Sequence, residues 1–525
     1  MSIASVMKRV VAGIGATSLV ALGMVAVVPS AHGAEVQGPG QPNAPEKGSL
    51  TIHKRLGAEA DTHDTGLKLD QPSGEGLNGV TFTYWQVGKK GASSECTPLK
   101  TTDNDDWKLI SEAQAPVDYD NFDVEGLCLI GVGTSVKTGL KDGEAGFAET
   151  GKIDLGFYYV AETAAPSDVI SKTAPFFVSV PMPEKGLQGK NDDQKANWLY
   201  DIHVYPKNLK LEGPEKTINE NGQQKKLVLN ETVEWTIEQE VPALKKGEKY
   251  ESAKIFDYLD SSLKFGKTIK VSLDGETLTE SDYKVTTPNN GIVWELNKGK
   301  LDTLKAGQTL QVVFTTTVEK VTESGMINNK PWDKESGEPN NGYGSDFNGV
   351  TVPGKTTPYT YWGELKVKKV DTAKQALKGA KFAVTEAVDG KCSAEADNPI
   401  ATGESNEEGI VIWKDSTSDV LGLFVANSSN GELSSPTKKY CLYETGAPAG
   451  YTGLTDPQTI TIKAGTVASN KNSITEIVNK TKDTPDLPLT GAQGTILLTV
   501  LGLTLVSIGA GVVVVSRRRR ATAKN

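Results

Sequence analysis

The stretch Leu50-Thr51-Ile52-His53-Lys54-Arg55-Leu56 places Leu50, Ile52, Lys54 and Leu56 on one face and Thr51, His53 and Arg55 on the other, because successive side chains of a strand point to opposite sides. Its start recurs downstream: Gly48-Ser49-Leu50-Thr51-Ile52-His53-Lys54 matches the pattern of Gly363-Glu364-Leu365-Lys366-Val367-Lys368-Lys369. A second landmark follows each copy, Val160-Ala161-Glu162-Thr163-Ala164-Ala165-Pro166 in the first and Leu442-Tyr443-Glu444-Thr445-Gly446-Ala447-Pro448 in the second. The chain therefore holds two related units. Residues 209–361 between them lack both landmarks and read as a different sandwich.

Outward from these landmarks, short alternating runs continue at 80–87, 157–162, 176–180, 202–206, 233–237, 292–296, 310–318, 381–384, 410–413 and 460–462. Each is bounded by Gly, Pro, Asn or Asp, the pattern of an all-β sandwich array. No long amphipathic helix is expected outside the two ends. A length of 525 residues exceeds one hydrophobic core. The balance of 56 basic and 66 acidic residues, net −10, excludes a nucleic-acid binder. Four His and four Cys leave little material for a metal or thiol enzyme, so no cofactor is expected.

Both ends lie outside the fold. Lys8 and Arg9 precede an apolar run at 10–28, Pro29 breaks it, and Ala31-His32-Gly33 offers small residues for cleavage before Ala34, the features of a secretory signal. At the other end Leu487-Pro488-Leu489-Thr490-Gly491 precedes an apolar span at 495–515 and Arg517, Arg518, Arg519 and Arg520. Such a span is long enough to cross a bilayer, and the Arg cluster keeps its end cytoplasmic. The three elements in this order resemble the cell-wall sorting signal of Gram-positive surface proteins. That resemblance implies sortase cleavage between Thr490 and Gly491, with Thr490 as acyl donor and 491–525 discarded. Loss of both ends takes seven of the 56 basic residues and no acidic one, leaving 49 against 66, net −17.

Strand alternation also turns several ionisable groups inward. Lys54 shares a face with Ile52, Lys369 with Val367, Glu162 with Val160, Glu444 with Leu442 and Asp257 with Ile255. An isolated charge there costs several kcal/mol unless it is paired or neutralised. Burial lowers a lysine's pKa and raises an acid's. A neutral acid can then polarise an adjacent Asn carboxamide while the neutral amine attacks it and expels ammonia. The product is an intramolecular isopeptide bond. On this reading the triads are Lys54/Glu162/Asn208, Lys216/Asp257/Asn329 and Lys369/Glu444/Asn479, with Asn328 a rival to Asn329 because the pair can be aligned either way.

Two longer motifs name a family. Trp198-Leu199-Tyr200-Asp201-Ile202-His203-Val204-Tyr205-Pro206-Lys207-Asn208 resembles the pilin motif of sortase-assembled Gram-positive pili, W-x3-V-x-V-Y-P-K, with Ile202 for the first Val. Tyr440-Cys441-Leu442-Tyr443-Glu444-Thr445-Gly446-Ala447-Pro448-Ala449-Gly450-Tyr451 resembles that family's E-box at every specified position. With LPLTG they cover the whole chain, which is similar to the shaft (backbone) pilins of corynebacteria and Actinomyces.

The resemblance implies three tandem immunoglobulin-like β-sandwiches in an elongated array. Residues 1–33 would be the signal peptide, 34–208 a CnaB-like pilin domain, 209–361 a CnaA-like domain, 362–482 a CnaB-like domain and 483–525 the sorting signal. It further implies that a pilin-specific sortase joins Thr490 of one subunit to Lys207 of another. The covalent head-to-tail polymer would carry a minor tip pilin, pass to peptidoglycan through a housekeeping sortase, and adhere to a host surface or other bacteria. Such a chain is a sortase substrate and no enzyme. The alternative is a wall-anchored, non-polymerised adhesin of the collagen-binding type built from the same domains.

The first domain departs from the family pattern, with Val160 for Leu and Ser167-Asp168 where Gly-Tyr would stand. Relatives differ in whether this domain carries a bond. With the domains so assigned, only the pairing Cys96–Cys128 with Cys392–Cys441 avoids cross-linking separate domains, and an exported chain permits disulfides. Asp103, Asp105 and Asp106 read as a solvated loop lacking the spacing of a Ca²⁺ site. His53, His63 and His203 form no triad with a Ser, and Trp362 reads as an exposed aromatic used for packing.

Overall fold

The computed structural model describes residues 36–58, 65–91, 95–184, 197–218, 227–333, 335, 342–414, 416–469 and 474–482. The signal peptide, the motif Leu487 to Gly491 with its Thr490, the apolar span at 495–515, the Arg cluster and His63 lie outside the described residues. Among the described residues no helix is long and apolar enough to cross a membrane. The chain forms two compact units: residues up to 165 with 173–207, and 166–172 with everything from 208 onward.

In the first unit, Lys47–His53 lies between Asp201–Val204, which runs parallel to it with Leu50 opposite Ile202 and Ile52 opposite Val204, and the antiparallel Glu144–Glu149. A second sheet orders Phe176–Val180, Gly156–Ala164 and Thr81–Lys90, with Cys96–Pro98 and Leu127–Lys137 also pairing with the last. The Gly156–Ala164 strand is buried on both faces. Phe157, Tyr159 and Ala161 pack with Val87, Leu99 and Leu127 beneath Trp107, Leu109 and Ile110 of the helix Asn104–Glu112. This double burial corrects the reading of 157–162 as an alternating run, since both faces are covered and the apolar residues run continuously.

The helix corrects the reading of Asp103, Asp105 and Asp106 as a solvated loop. Asp103 is its N-cap and accepts from the Asp105 amide. Asp106 is buried and accepts from Lys89 Nζ and the Lys100 amide, both at 2.8 Å. Among the described residues no group of three or more His, Cys, Asp or Glu could hold a metal ion.

The second unit contains two pairs of facing sheets. One sheet orders Glu215–Ile218, Thr232–Glu240, Thr309–Val318, Leu263–Leu273 and Glu276–Thr277; its companion orders Tyr283–Thr286, Gly291–Leu296, Ala253–Tyr258, Gly342–Phe347 and Val350–Pro353. Tyr359–Asp371 then serves three partners. Its start pairs with Met326–Asn328 and Leu421–Ser428, and its end runs parallel to Ile474–Thr481. The final sheet orders Val411–Trp413, Ala401–Ser405, Lys381–Glu386, Thr437–Gly446 and Gln458–Lys463. Trp362, on the shared strand, is fully buried, contrary to the exposed position expected of it. Its Nε1 donates to Thr360 Oγ1 at 2.9 Å, and its ring packs edge-on against Phe424. One apolar cluster runs through this strand from Trp235 and Phe314 to Phe382 and Trp413. The protein is all-β, with several sandwich domains. Disulfides join Cys96 to Cys128 and Cys392 to Cys441.

Candidate functional site

Parallel pairing of first and last strands decides what the C-terminal lysine meets. Lys369 lies opposite Ile477 in register, and Asn479 follows two residues later on the same face. Lys369 Nζ donates to Asn479 Oδ1 and, at 3.3 Å, to the Ile477 carbonyl. Asn479 Nδ2 donates to Glu444 Oε1 at 2.6 Å, and Glu444 Oε2 lies 3.5 Å from Lys369 Nζ. The Leu454 amide, just beyond the E-box, donates to that Oε2 at 3.0 Å. The lysine and glutamate side chains are wholly buried. Burial lowers the Lys369 pKa, with Glu444 acting in the opposite direction.

In the middle sandwich, Lys216 and Asp257 come from opposing sheets. Lys216 Nζ bonds Asp257 Oδ2, and Asn329 Nδ2 donates to Asp257 Oδ1 at 2.8 Å. All three residues have zero exposure, whereas Asn328 is half-buried and lies within a strand. The amine sits 4.4 Å from the Trp235 ring centre and 4.8 Å from that of Phe314. Burial in this apolar box pushes the Lys216 pKa down to about 8. The Asn329 Oδ1 is buried with no hydrogen-bond partner among the described residues.

In the N-terminal unit, Lys54 Nζ lies 2.9 Å from Glu162 Oε2, both side chains fully buried. It also donates to Thr173 Oγ1 at 2.5 Å. Asn208 is buried too, and the division between units falls between it and Lys207. Lys207 is half-buried, its Nζ donating to Ser73 Oγ at 2.8 Å. It stands on a groove of 630 Å³ lined by Leu69, Phe176, Val178, Met182 and Tyr205.

Over 545 residues the chain is 30% identical to the fimbrial subunit type 2 of Actinomyces naeslundii, covering 98% of this chain and 96% of that one. The chain belongs to the fimbrial subunits of Gram-positive bacteria. It is the major pilin of a sortase-assembled pilus, a structural protein carried at the cell wall by an LPXTG anchor. Family models match this pilin at 45–209 (Gram-positive pilin subunit D1, N-terminal domain), 212–334 (Sgo0707 N2 domain), 363–476 (prealbumin-like fold domain) and 479–521 (LPXTG cell wall anchor motif). Among solved structures, the full-length major pilin SpaD of Corynebacterium diphtheriae superposes with a TM-score of 0.59 at 26% identity, covering 83% of this chain and 98% of that one. The major pilin SpaA of the same organism shares the fold, with a TM-score of 0.50 at 20% identity over 82% of this chain and all of that one.

Several residues of the pilin's sites escaped sequence reasoning. Thr173 and Ser73 stand in irregular segments where no periodicity singles them out. Tyr343 donates to the Thr356 carbonyl at 2.7 Å and accepts from the Lys216 amide at 3.2 Å, tethering the main chain of the buried lysine. His53 and His203 join each other, Nε2 to Nδ1, at 2.9 Å. His53 Nδ1 also lies 2.7 Å from Glu144 Oε1, and its ring stacks on Tyr205 of the pilin motif. Burial lowers the His203 pKa, and His53 adds to the effect.

Proposed function

We propose that the pilin polymerises through Lys207, whose Nζ attacks the Thr490 carbonyl carbon of another subunit held as a sortase acyl-enzyme. Forming that acyl-enzyme has already broken the Thr490–Gly491 amide and released the Gly491 amine. Lys207 then breaks the bond between the Thr490 acyl group and the sortase, the enzyme's nucleophile leaves with the proton that the lysine nitrogen gives up, and one new amide forms on Lys207. The observation that carries this reading is the divergence of two adjacent residues: Asn208 is fully buried, whereas Lys207 reaches the rim of the groove. The apolar wall of that groove offers room for the Leu487-Pro488-Leu489 that stays on the donor. A pilin-specific sortase would build the shaft on a minor tip pilin, and a housekeeping sortase would pass it to peptidoglycan to display it to host or bacterial surfaces. Lys207→Ala abolishes the high-molecular-weight ladder in boiled denaturing gels of wall extracts. A ladder that persists in this variant removes Lys207 from the role.

The same reading divides the subunit into a CnaB-like domain at 34–208, a CnaA-like domain at 209–361 and a CnaB-like domain at 362–482, followed by the sorting signal. The matched family spans support this division. It assigns isopeptide bonds Lys369–Asn479 with Glu444, Lys216–Asn329 with Asp257 and Lys54–Asn208 with Glu162. In each, the neutral amine adds to the Asn carboxamide carbon, and the side-chain nitrogen departs as ammonia with the proton the amine gives up. Half a turn of the Asn329 carboxamide would bring its unpartnered Oδ1 onto Asp257, where a protonated acid donates to it. SpaA, a major pilin with stabilising isopeptide bonds, supports the assignment. Intact mass of the ectodomain counts the bonds as ammonia deficits, and a mass without deficit removes all three.

A further inference from the structure

Thr173 touches two functional groups at once. Its hydroxyl accepts from Lys54 Nζ at 2.5 Å and donates to the main-chain carbonyl of Lys207 at 2.8 Å. Its amide points to Glu162 Oε2 at 3.4 Å, and the residue is buried. A hydroxyl has one proton to give, and here that proton goes to the peptide that follows Lys207. The peptide is planar, so fixing its oxygen fixes the plane and the direction in which the Lys207 side chain leaves the backbone. This matters because a lysine amine rides on a flexible four-carbon stem. The stem is then held at its base by Thr173 and at its tip by Ser73.

Resting on the reading of Lys207 as the acyl acceptor, we propose that Thr173 is a positioning residue for that transfer. It anchors the Lys207 main chain to the buried Lys54–Glu162 pair. Its contribution is orientational, so its loss slows transfer to the amine and leaves formation of the acyl-enzyme untouched.

The test uses the whole chain with the cognate pilin sortase and a fluorescent peptide carrying Leu-Pro-Leu-Thr-Gly, and reads label at Lys207 by peptide mapping against hydrolysis of the same acyl-enzyme. Thr173→Val lowers the ratio of transfer to hydrolysis about tenfold, and Thr173→Ser restores it. A valine variant with the wild-type ratio, or a serine variant as slow as the valine one, overturns the proposal. If the wild type takes no label at Lys207, or Lys207→Ala is labelled equally, the parent reading falls and this proposal with it. That outcome is distinct from an inert Lys207→Ala beside a normal Thr173→Val. Should the valine variant not fold, the wild type decides. A Thr173 hydroxyl proton held on the Lys207 carbonyl exchanges slowly and gives an NMR resonance in threonine-labelled chain, whereas fast exchange overturns the proposal.

Discussion

Lys54 and Lys369 start from the same sequence landmark, Lys54 directly after and Lys369 within a strand that runs parallel to a later strand of its own sandwich, and the Lys54 amine also engages a threonine hydroxyl. Lys54 is held by Glu162 at 2.9 Å and by the Thr173 hydroxyl. Lys369 reaches the Asn479 carbonyl oxygen directly, while Glu444 holds the other end of the carboxamide and stands 3.5 Å from the amine. Strand topology thus delivers a lysine to the right depth. The neighbouring side chains decide how its amine is held. In the C-terminal sandwich the acid and amine bracket the amide, the order that condensation needs. In the N-terminal unit the hydroxyl ties the lysine to the pilin motif.

The largest effect is expected where that bracket is broken. Glu444→Ala restores one ammonia to the intact mass and lowers stability by about 3–5 kcal/mol, because it leaves Lys369 as an uncompensated buried charge. Calorimetry with mass spectrometry checks both. Glu162→Ala costs stability on the same scale and likewise restores one ammonia, but it also slows transfer to Lys207, so the comparison collapses if Lys207 transfer stays normal in both variants.

The middle site sharpens the contrast through pH. Asn329→Ala keeps Lys216 as a free amine whose pKa is about 8 when folded and 10.5 ordinarily. Between these values the unfolded chain binds the extra proton, so stability rises with pH. Denaturant titrations at about pH 8 and about pH 10 should differ by on the order of 3 kcal/mol more in this variant than in the wild type, where the proposed cross-link removes the free amine.

The smallest effect belongs to the histidine pair of the N-terminal unit. The His203 pKa lies below its ordinary 6.5 because of burial, so the folded state favours the neutral ring. The stability that this ring contributes is present above the ordinary value and is lost as the pH falls below it. His203→Phe should flatten the acid side of the thermal-midpoint profile, and an unchanged profile would remove the pair from the account.

Alternation made the buried lysines and their acids legible, because a period of two in a sandwich strand fixes which residues face the core. It failed at Gly156–Ala164, where both faces are covered and the run carries no polar side to count against. It misplaced Trp362, since one strand of thirteen residues crosses from one sandwich to the next and buries a ring expected at an exposed junction. It missed the helix at Asn104–Glu112 because the segment is short and its N-cap and first turn together carry three acidic residues, which read as a loop. The Asn328/Asn329 ambiguity is a register question, and the burial of Asn329 against Asp257 comes from packing between sheets.

By itself the sequence determined the all-β class, the related end units, the pilin motif, the E-box and the ends of the chain, because each is written in local spacing. Only the tertiary structure decided which atoms meet: the Asn479 carbonyl on Lys369, the aromatic box around Lys216, and the Thr173 hydroxyl between Lys54 and Lys207. The reason is physical. A strand period fixes the side from which a side chain departs, but a hydrogen bond depends on the position of a partner more than a hundred residues away, as Thr173 is from Lys54 and Asn479 from Lys369.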